Sequence, residues 1–379
     1  MGTDPIWLDH AATSWPKPPA VLAAITRWFE ELGVDGSRGS TRRHQEVRKL
    51  IAACRAKLGE LCKATPENVI FCSGATEAIN LFLKGSLSDG ARVWTTSLEH
   101  NAVARTLEAL RRERSLHIEV FEPRSAGEAV DEIDLLDRLQ REAPPQLLVY
   151  NHVSNVTGAR TELGRAAAWI REAGGVTLVD CAQSAGRLPL DEVDADALAF
   201  PAHKGLQGPP GLGVLVLRRG LDCQPLRHGG TGSSAPSLDM PDDAPTRFEA
   251  GTPNTPAILG LLEGLRWVEE RGIDVIHAHE VASTARLCQA LDEACASGRA
   301  QRHGGKDSGV VAFSFADLDP HEAALALADD EIYVRAGFHC TTRLHEGLGA
   351  RTGTLRFSPG PTTRAEDIDR AAAALLACL

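Results

Sequence analysis

A lysine stands in unusual company at "FPAHKGLQGPPGLG" (200–213), between an apolar run and a loop of glycine and proline. Burying an ammonium is costly unless it is paired or neutralised, so Lys204, next to His203, calls for a chemical reason. Other reactive groups occupy comparable places. Asp180 and then Gln183 follow "VTLV", Asn155 follows "LLVYNHVS", and Glu99, His100 and Asn101 follow "VWTTSL". Ser73, Gly74, Ala75 and Thr76 follow "VIFC" where a helix pattern opens, and a helix start with a glycine and a hydroxyl is a ready anion site. Each group comes just after a strand-like run, and open α/β sheets bind ligands beyond the carboxyl ends of their strands. A lysine, a carboxylate, a flat imidazole and an anion cradle together suit pyridoxal phosphate. That cofactor needs a Schiff-base amine, a carboxylate that keeps its pyridine nitrogen protonated, and a phosphate site. An apolar loop disfavours the ammonium of Lys204 and promotes the neutral, nucleophilic amine.

The elements that must position these groups alternate as strand, loop and helix. Strand candidates are "NVIFC" (68–72), "ARVWTT" (91–96), "LHIEVF" (116–121), "QLLVYNHV" (146–153), "GVTLVDCA" (175–182), "ALAF" (197–200) and "GVLVLR" (213–218). Most are continuous apolar runs, as in a parallel sheet covered on both faces. Helical patterns at 131–141 and 161–173 separate several of them, which predicts a mostly parallel central α/β sheet. From Gly229 to Thr246 the chain is rich in Gly, Ser, Pro and Asp and reads as a long loop. Helix patterns over 256–271 and 275–296, then "GVVAFSF" (309–315) and "IYVRAGFHC" (332–340), predict a smaller α+β domain. The expected division is a large domain over 15–255 and a small one made of 1–14 and 256–379.

Bulk properties remove several classes of function. The chain has 379 residues, 43% hydrophobic and 24% charged, in keeping with a globular protein that buries a sizeable core. A formal net charge of -11 argues against a nucleic-acid partner. The N-terminus has no apolar h-region and no run is long enough to cross a bilayer, so a cytoplasmic protein with no membrane partner is expected. Nine cysteines, with no CxxC, do not form a disulfide framework. His277 and His279 sit two apart on a helix pattern and face different ways, so with His303 they are poor joint metal ligands and no metal is expected. Neither a Walker A sequence nor GxGxxG is present, which sets aside a nucleotide-dependent dehydrogenase.

The stretches "WLDHAATS", "GATEAINL", "EHNA", "NHVSNVTG", "VDCAQSAG", "AHKGLQGPPGLG", "RFEAGTPNT" and "VRAGFHC" resemble, in this order, the class V aminotransferase superfamily. Within it they most resemble the cysteine desulfurases, and the short span from Cys340 to Arg356 is similar to the compact-loop (type II) group. The resemblance implies the fold type I architecture of pyridoxal-phosphate-dependent transferases and a homodimer. It implies that Lys204 carries the Schiff base, Asp180 partners the pyridine nitrogen, His100 stacks on the ring and Gln183 contacts the ring oxygen, with Asn155 near that oxygen and the substrate. Ala75, Thr76 and His203 would bind the phosphate, with Thr252 reaching it from the partner subunit. Arg356 would hold the substrate α-carboxylate, with Arg335 also on the substrate side. Cys340 would take the sulfur of L-cysteine as a persulfide, leaving L-alanine, and pass it to a sulfur-acceptor protein or a reductant. The basic neighbours Arg335 and His339 are expected to lower the Cys340 thiol pKa.

The chain departs from the family pattern at Pro201, where a phosphate-binding Ser or Thr is usual, at Phe338 before the His–Cys pair, and in "CTT" (340–342). The same residues leave open a selenocysteine lyase, another C–S lyase or an aminotransferase that does not use Cys340. A catalytically silent dimeric scaffold is a further alternative, and the joint presence of Lys204, Asp180, His100 and Arg356 argues against it.

Overall fold

The structure is a computed structural model that describes residues 4–36, 39–218, 221, 223–232, 237–305 and 307–379. Part of the loop expected over 229–246, residues 233–236, lies outside the described residues, and the described part of that loop carries no helix or strand. In chain order the strands are β1 (Ile6–Trp7), β2 (Val69–Cys72), β3 (Arg92–Thr96), β4 (His117–Phe121), β5 (Leu147–Asn151), β6 (Val176–Asp180), β7 (Ala197–Pro201) and β8 (Gly213–Leu217). They continue with β9 (Ala300–Gly304), β10 (Val311–Phe315), β11 (Ile332–Tyr333), β12 (Arg335–Gly337) and β13 (Thr354–Phe357).

Seven strands form the central sheet in the order β2-β8-β7-β6-β5-β3-β4. Parallel pairing runs from β7 through β6, β5 and β3 to β4, and β8 alone runs antiparallel to its neighbours β2 and β7. Every residue of β2, β5, β7 and β8 is buried, which is why these strands read as unbroken apolar runs. The edge strand β4 is half-exposed and carries His117 and Glu119. The smaller sheet is antiparallel, β12-β13-β10-β9. The N-terminal β1 pairs in parallel with β11, Ile6 against Ile332, so the chain's start lies beside its last third.

The helices that bear on the site are α1 (Pro19–Arg27), α2 (Arg42–Cys62), α3 (Ala75–Ser86), α4 (Asn101–Arg114), α5 (Glu132–Leu139), α6 (Gly164–Glu172) and α7 (Thr255–Arg271). The 275–296 pattern divides at the fully buried Leu291 into α8 (Ile273–Ala290) and α9 (Asp292–Ala296). Three more follow: α10 (Pro320–Asp329), α11 (Thr342–Leu348) and α12 (Ala365–Cys378). Asn254 caps α7 by accepting from the Ala257 N–H, and Pro256 occupies its first turn, where a missing N–H costs nothing. One face of α7 sends Ile258, Leu261, Leu262 and Leu265 into the core that also holds Phe71, Trp94 and Phe200 of the central sheet. A separate core, around Phe313, Phe357, Leu287 and Ile368, underlies the smaller sheet.

Candidate active site

At the carboxyl ends of β5, β6 and β7 residues of both sheets and their loops line a cavity of about 330 Å³, the size of a small-molecule site. Eleven of the candidate cofactor- and substrate-site residues line it: Ala75, Thr76, His100, Asn155, Asp180, Gln183, His203, Lys204, Arg335, Cys340 and Arg356. The first eight come from the central sheet's strand ends, loops and helix starts, the last three from β12, the turn after it, and β13. Thr252 is not among them. It is exposed on a different concavity, with Gly251 and Glu249, so within one chain nothing brings it to the others. Glu99 also lies outside the cavity. It is buried below the strand ends, where its Oε1 accepts from Thr96 Oγ1 (2.7 Å) and the Asn151 N–H (3.0 Å), and burial pushes it up to about 8.

The anion cradle forms because β8 lies against the start of α3. A Cβ on Gly213 would come within 2.2 Å of the Gly74 backbone, whereas one on Gly74 would meet nothing within 4 Å, so the helix start is packed on one side and open on the other. Ser73 and Thr76 are exposed there, and Pro201, lining the same cavity, offers neither hydroxyl nor N–H. His203 lines the cavity with its Nδ1 buried and unpartnered. Its carbonyl is gripped by the Ser14 N–H at 2.9 Å and by Lys17 Nζ at 2.8 Å, which fixes the residue that precedes Lys204.

Burial pulls Lys204 down to about 8, helped by Arg356 and Arg187 and opposed by Asp180 and Asp9, so a useful fraction of its amine is neutral near physiological pH. Asp180 closes β6 and accepts the Ala182 N–H at 2.9 Å. Burial raises its pKa, with that bond and Lys204 opposing. His100 caps α4 by accepting the Ala102 N–H on Nδ1 at 3.0 Å, and burial, with Lys204 and Arg356, lowers it to about 4. It is a neutral ring whose proton sits on Nε2. Gln183 is held at both ends: Nε2 donates to the Ala11 carbonyl at 2.9 Å, and Oε1 accepts from Arg187 at 3.1 Å. Arg187 is itself paired with the buried Glu280 at 3.0 Å.

Arg356, 2% exposed, donates to Asp9 Oδ1 at 2.6 Å and to the Asn155 carbonyl at 2.9 Å, and its Nε is left without a partner. The other oxygen of Asp9 takes Arg335 Nε at 2.8 Å. Asp9, Arg187 and Lys17 therefore belong to the site although sequence reasoning missed them. Asp9 stands in the quoted "WLDHAATS", but no local pattern signals a partner 347 residues away.

Cys340 is exposed at the cavity rim, whereas Cys54, Cys62, Cys72, Cys181, Cys223 and Cys288 are buried and Cys295 and Cys378 half-buried. Burial pushes Cys54 and Cys62 up to about 12, which keeps those thiols protonated. One expectation is corrected here. His339 is not a cation beside Cys340, because burial, with Arg356 and His345, lowers it far below the ordinary histidine range and it is neutral. Its Nε2 contacts the Thr354 carbonyl (3.1 Å) and Thr354 Oγ1 (3.0 Å) instead. His279 and His303 are likewise engaged, with the Thr363 carbonyl (2.8 Å) and Ser314 Oγ (2.9 Å).

These groups fit pyridoxal phosphate. An open helix start and the unpartnered His203 Nδ1 suit a phosphate, Lys204 with its lowered pKa suits a carbonyl, and Asp180 at a strand end suits a ring nitrogen.

Comparison with known proteins agrees with this fold. Residues 6–371 match the family described as aminotransferase class-V. A probable cysteine desulfurase of Pyrococcus abyssi is 31% identical over 370 residues, covering 93% of this chain and 89% of the relative. The cysteine desulfurase CsdA of Escherichia coli is 32% identical over 377 residues, covering 96% and 91%. The apo structure of a cysteine desulfurase from Thermococcus onnurineus superposes with a TM-score of 0.91 at 29% identity, covering 99% of this chain and 94% of the other. With a family match over nearly its whole length and relatives above 30% identity, this chain belongs to the class-V aminotransferase family.

Proposed function

We propose that the protein is a pyridoxal-phosphate-dependent cysteine desulfurase, which converts L-cysteine and the Cys340 thiol into L-alanine and a Cys340 persulfide. The observation that carries this reading is the placing of one exposed cysteine on the same cavity as Lys204, Asp180 and Arg356. A transaminase has no need of a thiol there. When bound, pyridoxal phosphate supplies an electron sink that acidifies the substrate Cα–H and weakens the bond to sulfur.

The chain's own residues supply the rest. Lys204 holds the cofactor and, with its lowered pKa, moves the proton at Cα. Asp180 would pair with the ring nitrogen, neutral His100 would lie against the ring, and Gln183 and Asn155 would serve the ring oxygen. Ala75 and Thr76 at the α3 start and His203 hold the phosphate, and a second copy of the chain contributes Thr252, so the working unit is a homodimer. The guanidinium of Arg356, with its free Nε, takes the substrate carboxylate, and Arg335 flanks it. Cys340, on the rim, attacks the substrate sulfur as a thiolate and hands the outer sulfur to a reductant or an acceptor protein. We also place the protein in the cytoplasm, consistent with nine free thiols; among the described residues no helix is long and apolar enough to cross a membrane.

The test is to add L-cysteine and a thiol reductant to the purified yellow protein and measure sulfide and alanine, wild type against Cys340→Ala. Equal amounts of both products, reduced at least about 100-fold in the variant, are expected. Sulfide from the variant at the wild-type rate would sink the persulfide step, and preference for L-selenocysteine with no need of Cys340 would make the enzyme a selenocysteine lyase.

A further inference from the structure

The turn that presents Cys340 is built against backbone preference. His339 and Cys340 have φ of 49° and 58°, a left-handed pair that costs non-glycine residues energy unless the surroundings impose it. The groups imposing it are on either side of the thiol. Asn155 Nδ2 donates to the His339 carbonyl at 2.7 Å, and the hydroxyl of Thr341 donates to Asn155 Oδ1 at 2.9 Å. One side-chain amide therefore brackets Cys340, holding the residue before it and the residue after it. The Cys340 carbonyl is fixed in turn by the Asn101 N–H at 2.7 Å, next to His100.

Thr341 is fully buried, and both polar ends of Asn155 lie in a site where an unmet acceptor is costly. Only one orientation of the amide works. Reversed, Asn155 Oδ1 would face the His339 carbonyl, two acceptors at hydrogen-bond distance. The His339 carbonyl, an acceptor only, selects that orientation, and the Thr341 hydroxyl then donates to Oδ1, which leaves the second N–H of Asn155 Nδ2 uncommitted in a residue that lines the cavity.

Resting on the desulfurase reading, we propose that Thr341 is a positioning residue for sulfur capture: its hydroxyl anchors the Asn155 amide and, through it, the turn that aims the Cys340 thiol. The departure "CTT" is thereby given a role, since an alanine after the cysteine would leave Asn155 Oδ1 unpaired.

The test compares Thr341→Ala and Thr341→Ser with wild type in three measurements on the cofactor-loaded protein. These are the single-turnover rate of alanine formation, the rate at which iodoacetamide alkylates the Cys340 peptide, read by mass spectrometry, and the cofactor absorbance. Thr341→Ala is expected to slow the first turnover about tenfold, the effect of losing one hydrogen bond to a buried partner. It is also expected to change Cys340 alkylation severalfold while cofactor absorbance stays at the wild-type level. Thr341→Ser is expected to restore both rates. A wild-type first turnover in Thr341→Ala overturns the proposal, as does a Thr341→Ser variant as slow as Thr341→Ala. A slowed turnover with unchanged alkylation also overturns it, because the turn would then not have moved. If the wild type forms no alanine at all, the desulfurase reading itself fails, and that result cannot be confused with the others.

Discussion

The reactive behaviour of single residues here follows from burial set against a few charges. Lys204 is lowered to about 8 because burial and two arginines outweigh Asp180 and Asp9, whereas the neutral His100 and His203 add no positive charge beside it. Asp9 divides its two oxygens between Arg356 and Arg335, so one carboxylate orients both guanidinia. Asp9→Asn keeps an acceptor but loses the charge. Steady-state kinetics should show KM for L-cysteine rising about 10- to 100-fold with kcat changed less, the range for a hydrogen bond to a charged group. An unaltered KM would mean that Arg356 is oriented without Asp9.

Close approach of backbones decides what the elements can do. The α3 start is approached by β8 so closely, Gly213 against Gly74, that a Cβ there would collide with three backbone atoms. Gly213→Ala is therefore expected to push β8 away from the helix start, costing about 1–3 kcal/mol. The matching loss of affinity for added pyridoxal phosphate would be read by titrating its absorbance. Normal affinity in a destabilised variant would show that the cradle tolerates the shift. The same element scale shows how far sequence patterns reach. The buried strands β2, β5, β7 and β8 were legible within a residue or two because both their faces are covered. The edge strand β9, "AQRHG", was not, because only Ala300 and His303 of its five residues are buried and its pattern is mostly polar. The stretch 332–340, quoted in the sequence without an assigned element, is two short strands and a left-handed turn whose His339 carbonyl accepts from Asn155, far away in the chain.

Over the whole molecule, buried histidines set the response to acid. Burial lowers His10 to about 3 and His100, His152, His203 and His303 to about 4, and His339 lies lower still. Between about pH 4 and 6.5 the unfolded chain binds protons at these sites that the folded chain refuses, so stability is lost as pH falls through that window. Glu99, raised to about 8, acts in the opposite sense, as do Asp180 and Glu280, but they are outnumbered. Urea midpoints should therefore fall from pH 6.5 to pH 4.5 by an amount worth on the order of a few kcal/mol. A midpoint that holds or rises would show that the carboxyl groups dominate.

The sequence by itself determined the class of fold, from apolar runs long enough to be covered twice. It also determined which groups gather, because Lys204, Asp180, His100 and the α3 start each follow a strand and so meet at one sheet edge, where they line one cavity. Tertiary structure alone decided the supporting contacts. Asp9 meets Arg356 across 347 positions and Arg187 meets Glu280 across 93, distances over which no periodicity carries information. It also decided which histidines are charged, since burial, not residue type, sets that. Thr252 lies on a different concavity within the single chain, a placement that its motif in the sequence could not show.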